Sequence, residues 1–128
     1  SHMKDQVLIP AVDAYNRILS MCVSTGIRLS ENKLLEFILE AVPLILFKRQ
    51  LPDGRRVYDE IFEGLRVENG KVVGKTLYKY EIEDNVYDDN GNIIEVIGKH
   101  CRKNSMSDAL LSRLKYGGAS NEMLEAFM

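Results

Sequence analysis

The sequence predicts a mixed α/β fold, which as an isolated piece is α+β: two helices, a core strand, antiparallel β-hairpins and short C-terminal helices. Three observations predict it. Near both ends of the chain, apolar residues recur every three or four positions, as they do on one face of a helix. The middle contains turn sequences between alternating apolar and polar residues, a pattern typical of β-hairpins. One short, continuous apolar run lies between, which is typical of a strand covered on both faces.

The length and composition are those of one globular domain. The chain has 128 residues, 45% of them hydrophobic and 28% charged, which suits one core and leaves no room for a second domain. Residues 1–3 match the remnant of a cleaved affinity tag, so we assign the domain to residues 4–128, with His100 as its only native histidine. A tag also implies that the first residue of the expressed sequence was selected. A motif that is absent here can therefore lie upstream in the gene.

Net charge and cysteine spacing exclude several classes of function. A formal net charge of −2 argues against affinity through phosphate neutralisation, so no nucleic acid partner is expected. Cys22 and Cys101 form no C-x-x-C pair and require no oxidising compartment. The apolar runs are far shorter than the roughly 20 residues that cross a bilayer. We therefore expect a cytoplasmic protein without direct membrane insertion.

Two N-terminal helices are predicted from periodicity and end signals. The first is expected at about residues 10–24, with Pro10 in its first turn and Gly26 near its end. The second is expected at about residues 30–41, where Ser30 offers an N-cap and Glu31 favours the positive end of the helix dipole. The apolar faces are Val12, Tyr15, Ile18, Leu19, Cys22 and Val23 in the first helix, and Leu34, Leu35, Ile38 and Leu39 in the second.

Strands are predicted between the helices. Residues 44–47 form the continuous apolar run, which we expect to be a central strand of the sheet. A tight turn at residues 51–54 precedes a strand at residues 56–62. Asn69-Gly70 predicts a type I′ turn, with flanking strands at 64–67 and 72–73. Further strands at 76–82 and 93–97 flank a turn at 89–92, so the middle of the chain is a series of β-hairpins.

Two short helices are predicted at the C-terminal end. Ser105 and Asp108 resemble a capping box, and Gly117-Gly118 supplies a helix stop. Ser120 or Asn121 caps a last turn that either docks on the body or frays. The apolar residues are Ala109, Leu110 and Leu114 in the first helix and Met123, Leu124 and Phe127 in the last turn.

The candidate catalytic and metal-binding groups do not form a complete site. No G-x-x-x-x-G-K-[ST] phosphate loop occurs, and residues 70–75 are better explained as a hairpin turn and strand end. His100 is the only candidate base, and its neighbour Cys101 faces the other side of a strand. Cys22, His100 and Cys101 are too few and too scattered for zinc. We predict no catalytic, cofactor-binding or metal-ligating residue in this chain.

Charged residues gather at two places in the β region. Lys48, Arg49, Arg55 and Arg56 straddle the first hairpin turn, so their charges are expected at one end of two paired strands. This basic end is either solubilising surface or a contact with an acidic partner or neighbouring subunit. The acidic residues Glu81, Glu83, Asp84, Asp88 and Asp89 lack the calcium-loop pattern and are interpreted as a solvated hairpin rim.

Three stretches of the chain follow, in order, the motifs of one known family. Asp13-Ala14-Tyr15-Asn16-Arg17-Ile18-Leu19 is similar to a D-A-x-x-R-L helix. Residues 33–61 contain a helix, a strand and R-Q-L-P-D-G-R-R-V-Y-D-E-I, similar to a helix, a strand and an R-L-x-D-G-x-R-x-V-x-E-I hairpin. Residues 109–118 are similar to a terminal F-A-x-R-L-x-x-x-G segment. With this order, the chain resembles the type II and type IV secretion traffic ATPases, particularly the tight-adherence pilus and conjugation branch.

The resemblance implies the C-terminal part of a RecA-like ATPase domain in a hexameric ring. In that family the Walker A, aspartate-box, Walker B and histidine-box motifs precede the D-A-x-x-R-L helix, so ATP and Mg²⁺ would bind the full-length parent. Residues 9–11 do not match the tail of a histidine box. The implied partners are the rest of the ATPase, neighbouring subunits and inner-membrane secretion or pilus proteins, at a cytoplasmic position peripheral to the inner membrane.

The implied role is subunit packing and transmission of nucleotide-driven motion, without Walker motifs in this chain. The possible partner or subunit interface consists of Arg17, Lys48, Arg49, Arg55 and Arg56. Two alternatives remain open. One is a self-standing protein-binding module that uses its hairpin edges or its basic end. The other is a small enzyme that uses His100 or Cys101.

Overall fold

Helices at both ends of the chain flank one antiparallel sheet in the computed structural model, which describes residues 5–128. The predicted tag remnant, residues 1–3, lies outside the described residues. The mixed α/β class is confirmed. The helices are α1 (Ile9–Ser24), α2 (Glu31–Ala41), α3 (Asp108–Tyr116) and α4 (Asn121–Leu124), followed by a 3₁₀ turn, Glu125–Phe127; the strands are β1 (Leu44–Gln50), β2 (Arg56–Glu68), β3 (Lys71–Tyr87) and β4 (Ile93–Arg102).

The sheet is a meander in which each strand pairs with the next, in the order β1-β2-β3-β4. The prediction that residues 44–47 form a central strand is therefore wrong, because β1 lies at an edge. Leu44 and Ile45 pack into two different apolar clusters, so the strand has apolar contacts on both sides. An apolar run reports how the faces of a strand are covered, but it does not report the strand's place in the sheet.

The predicted hairpin segments merge into two long strands. Those at 56–62 and 64–67 belong to β2, and those at 72–73 and 76–82 belong to β3. Register shifts near Phe62 and after Gly64 join the segments as bulges, which bend a strand without ending it. The turn prediction at Asn69-Gly70 is confirmed, since φ is 51° and 76°, in the left-handed region that a type I′ turn requires.

The helix caps follow the sequence with one exception. Ser30 Oγ accepts a hydrogen bond from Lys33 N at 3.2 Å, and Ser120 Oγ accepts one from Met123 N at 3.2 Å, as predicted. The predicted cap at Ser105 is wrong. Ser107 caps α3 instead by accepting a hydrogen bond from Leu110 N at 3.2 Å, while Ser105 bonds to Arg102. The serines are two residues apart, and tertiary contacts of Ser107 decide between them.

The helices cover both sides of the sheet. Consecutive residues Glu63 and Gly64 show the two sides, because Glu63 bonds to Ser107 at the start of α3 while Gly64 faces α1 and α2. A Cβ on Gly64 would lie 2.4 Å from Leu39 Cδ1 and 3.0 Å from Tyr15 Oη, so only glycine allows the helices to pack this closely. Gly64 therefore fixes α1 and α2 against the sheet.

The core consists of three apolar clusters along the sheet. The first lies under α1 and α2, the second under the β1–β2 turn and the third under α3 and the C-terminal turn. That last turn docks, since Met106 N donates to Phe127 O at 2.7 Å. The buried members are Tyr15, Leu19, Leu34, Leu35, Ile38, Leu39 and Val72 in the first cluster, Leu51, Tyr80 and Val96 in the second, and Leu77, Met106 and Leu110 in the third.

Candidate functional site

The predicted basic end forms where β1 and β2 meet at their turn. In the register of the two strands, Lys48 pairs with Tyr58, Arg49 with Val57 and Gln50 with Arg56. Four of the five predicted interface residues are thus brought to one end of the sheet. The fifth, Arg17, is exposed on α1, whose buried side chains pack against α2 and the first cluster rather than against this turn.

Arg49 is neutralised within the chain. Its Nη2 lies 3.2 Å from Asp59 Oδ1, an ion-pair contact without hydrogen-bond geometry. Lys79 Nζ donates to the other oxygen of the same carboxylate at 2.9 Å. Asp59 is largely buried, with 17% of its side chain exposed, so two cations compensate one buried carboxylate. Arg49 is therefore less available to a partner than its sequence position suggests.

Asp53 and Arg55 bond to each other and together hold Val96 of β4. We call this pair of residues the clamp. Arg55 Nε donates to Asp53 Oδ2 at 2.9 Å. Asp53 Oδ2 accepts a hydrogen bond from Val96 N at 2.9 Å, and Arg55 Nη2 donates to Val96 O at 2.5 Å. The turn between the first two strands thus reaches the last strand, so the sheet curls. Leu51, only 2% exposed, packs with Tyr80 and Val96 inside the curl.

The clamp changes the ionisation of both side chains. The hydrogen bond from Val96 N, followed by those from Arg55, lowers the pKa of the Asp53 carboxyl below its usual value. The carboxylate in turn raises the pKa of the Arg55 guanidinium through its hydrogen bond and its charge. Asp53 is therefore ionised at neutral pH, as the clamp requires.

Two cations of the basic end remain available. Lys48 Nζ lies 5.1 Å from the centroid of the Tyr58 ring, within the range of a cation–π contact. Lys48 and Arg56 are exposed, and neither has an ion pair with residues 5–128. The basic end thus presents about half of the free charge that the sequence suggests.

His100 and Cys101 lie on β4 without contacting each other's side chains. His100 Nε2 is 2.8 Å from Tyr58 O, and its ring lies edge-on to Tyr80 with 5.0 Å between the centroids. Burial, with a further contribution from Glu81, raises the pKa of the Cys101 thiol. A raised pKa disfavours the thiolate, which is the nucleophilic form. The arrangement is not that of a nucleophile activated by a base.

Of the acidic hairpin residues, Glu81, Glu83 and Asp84 lie on β3, and Asp88 and Asp89 lie in the segment that follows it. Glu83 and Lys99 form an ion pair at 3.2 Å, and Lys103 bonds to Glu81 and lowers the pKa of that carboxyl. Within residues 5–128, no group of three or more His, Cys, Asp or Glu side chains is arranged to hold a metal ion.

The structure also shows exposed apolar side chains that the sequence reasoning missed, along β1 and on α1, α2 and their connections. No strand within residues 5–128 pairs with the outer edge of β1, and Leu46 in that strand is 49% exposed. Unpaired strand edges and exposed apolar side chains are features of contact surfaces. The exposed apolar side chains in these elements and their connections are Ile9, Met21, Val23, Ile27, Leu29, Phe37, Val42 and Leu46, and we call them the apolar edge surface.

A groove of about 520 Å³ separates α2 from α3 and is lined by Leu39, Pro43, Glu63, Leu110 and Arg113 among others. Glu63 is only 2% exposed. Its carboxylate accepts hydrogen bonds from Ser107 N, at 2.8 Å, and from Ser107 Oγ. The buried acid is therefore satisfied by α3 and holds that helix on the sheet.

None of the helices within residues 5–128 has the length and apolar character needed to span a membrane. In comparisons with known proteins, neither a protein-family model nor a curated protein matches the chain.

Proposed function

We propose that the chain is the C-terminal part of a secretion or pilus-assembly ATPase. It packs against the nucleotide-binding body and the neighbouring subunits of a hexameric ring, and it transmits nucleotide-driven motion to inner-membrane partners. ATP and Mg²⁺ bind residues of the parent outside this chain. The open edge of β1 carries the proposal, together with the ordered resemblance of the sequence to that family.

The strand β1 has the composition of a central strand and the position of an edge strand. Its first four residues are apolar, yet Leu46 is 49% exposed and one edge has no partner within residues 5–128. Proteins usually shorten, charge or cover such edges, because an open apolar edge recruits other strands. Pairing of β1 with a strand of the nucleotide-binding body resolves this mismatch.

The helices support the same arrangement. Met21 and Phe37 are 62% and 50% exposed, although they lie in helices whose other faces are buried in the first cluster. Exposed apolar side chains on the outer faces of helices that already cover a sheet fit a layered α/β body in which both helices are covered in turn. The apolar edge surface is thus the contact with the rest of the motor.

Transmission follows from how tightly the elements are joined. The clamp connects the end of β1 to β4, and Glu63 connects β2 to α3 through Ser107. A displacement applied at β1 is therefore carried to the last strand and to α3 as the movement of one body, since packed elements do not deform continuously. The chain acts as a lever rather than as a catalyst.

The first test is to read the source locus upstream of the codon for Lys4. An in-frame continuation that encodes a phosphate-loop lysine and a downstream acidic Walker B strand supports the proposal. A stop codon followed closely by a start codon contradicts it. The self-standing binding module then becomes the leading account, and reversing the charges of Arg49, Arg55 and Arg56 tests its basic end.

The second test uses Leu46→Lys in the intact protein and in this chain alone. In the isolated chain we expect a change in unfolding free energy within about 0.5 kcal/mol, because Leu46 is half exposed. In the intact protein we expect loss of ring assembly by light scattering and loss of ATP hydrolysis. Tyr116→Lys, at a side chain that is 97% exposed, is the matched control. Normal assembly of the Leu46→Lys protein would overturn the proposed contact.

A further inference from the structure

The outer half of the β3–β4 hairpin exposes an apolar patch on one face. Asp84 pairs with Ile97 and Val86 pairs with Glu95 across the strands, so these four side chains share a face. Ile94 occupies a bulge beside them. Ile94 is 59% exposed and Ile97 is 41% exposed. We call this set, with Glu83, the hairpin face.

The hairpin face is held rigidly from behind. Val96 points to the other side of β4, where it is 2% exposed and packs with Leu51 and Tyr80. The clamp holds Val96 through both of its backbone polar groups. The exposed isoleucines are therefore displayed on a fixed platform rather than on a loose hairpin, which reduces the entropy lost on binding.

The hairpin face carries an excess of negative charge. Glu83, Asp84 and Glu95 contribute three carboxylates, and only Glu83 is compensated, by Lys99 at 3.2 Å. Within the described part of the chain, no cation forms an ion pair with Asp84 or Glu95. An apolar centre with an acidic rim is complementary to a segment that has apolar anchors and flanking cations.

We infer that the hairpin face binds a basic amphipathic segment of a membrane-protein partner. Its apolar side chains cover Ile94 and Ile97, and its lysines or arginines pair with Asp84 and Glu95. The membrane origin of the partner rests on the proposed function, because cytoplasmic segments of membrane proteins are rich in Lys and Arg. The bilayer itself is disfavoured as the occupant, since anionic lipid headgroups repel an acidic surface.

The test measures binding of a fluorescein-labelled helical peptide of leucine and lysine, about 18 residues or five turns long. We expect saturable binding to the full chain that weakens with added salt, because the charges involved are exposed. A peptide with glutamate in place of lysine, and one with serine in place of leucine, are expected not to bind. Vesicles of anionic phospholipid are expected not to bind either.

Two variants of the chain separate the contribution of charge to binding from that of apolar contact. Asp84→Asn with Glu95→Gln is expected to weaken binding about fivefold at low salt, since each exposed ion pair contributes modestly. Ile94→Ser with Ile97→Ser is expected to weaken it tenfold or more through lost apolar contact. The control is Asp13→Asn with Glu122→Gln, which removes the same charge from exposed helix positions and is expected to bind like wild type.

Equal binding by the control and by both hairpin variants would overturn the inference, as would equal binding of the lysine and glutamate peptides or preferential binding to anionic vesicles. These outcomes are separate from a failure of the proposed function. If the peptide binds at the hairpin face while the upstream frame is closed, the chain is a binding module for basic segments and the motor is rejected.

Discussion

Tyr15 illustrates what a single residue contributes beyond its apolar character. It is fully buried in the first cluster, and its hydroxyl donates to Val42 O at 2.6 Å, which ties α1 to the end of α2. Burial, and secondarily the charge of Glu63, raises the pKa of Tyr15 from 10.0 to about 12. Helical periodicity predicted that Tyr15 faces the core, but it could not identify an acceptor 27 residues away.

This pKa makes stability depend on alkaline pH. Below about pH 10 Tyr15 is neutral in the folded and the unfolded chain, and its full contribution to the free energy of unfolding is present. As pH rises from 10 towards 12, the unfolded chain ionises first, so the free energy of unfolding falls by about 2 kcal/mol. Urea unfolding across this range measures the fall. Tyr15→Phe is expected to reduce the slope, at a cost of about 1 kcal/mol at neutral pH. An unchanged slope would assign the pH dependence to other groups.

At the level of elements, the sequence predicted where the turns lie, but it did not predict the long-range contacts that turn residues make. The turn at residues 51–54 was predicted from proline, aspartate and glycine. Asp53 in this turn also accepts a hydrogen bond from Val96 N, 43 positions away, and Arg55 donates one to Val96 O, 41 positions away, so the turn holds β4. Sequence patterns describe neighbours within about one turn or hairpin, so a contact that depends on the curl of the whole sheet leaves no local signal.

The clamp predicts how the Val96 amide exchanges with solvent. Asp53→Ala removes its acceptor, so we expect its protection factor to fall about tenfold or more while amides in α2 keep theirs. In the wild type, protection is expected above the unfolded carboxyl pKa of 3.8 and is lost as pH falls through the lowered pKa of the folded state. Hydrogen exchange by NMR tests both. Asp89→Ala, in the exposed β3–β4 turn, is the control, and equal protection in the two variants would refute the clamp.

Across the whole molecule, the mixed α/β class, the element order and the hairpin pairing of consecutive strands followed from the sequence, while the edge position of β1 did not. Alternation and turn signals located the β region, but they predicted short segments that bulges join into long strands, as near Gly64 in β2. The basic end formed as predicted, yet Asp53 and Asp59 neutralise half of it. The exposed edge at Leu46 could not be predicted, because a continuous apolar run is also typical of a central strand.

The three clusters are expected to unfold together. Both β2 and β3 supply side chains to each of them; those from β2 are Val67, Val57 and Ile61, and those from β3 are Val72, Tyr80 and Leu77. Leu77→Ala, at a fully buried site, is expected to lower the free energy of unfolding by about 3 kcal/mol. Far-UV circular dichroism and tyrosine fluorescence are expected to report the same single transition. Tyr116→Ala is expected to cost nothing measurable. Two separated transitions would show that the clusters are independent.

The two edges of the sheet differ in whether strands can be added to them. The side chains of Asp53 and Arg55 occupy both polar groups of Val96 in the middle of β4, so an incoming strand meets a blocked register there. The edge of β1 has no such obstruction within residues 5–128. Two copies joined through β1 would therefore leave only their β4 edges exposed, and both of these are blocked at Val96. Strand addition then stops at a pair, which disfavours the open-ended growth of fibrils.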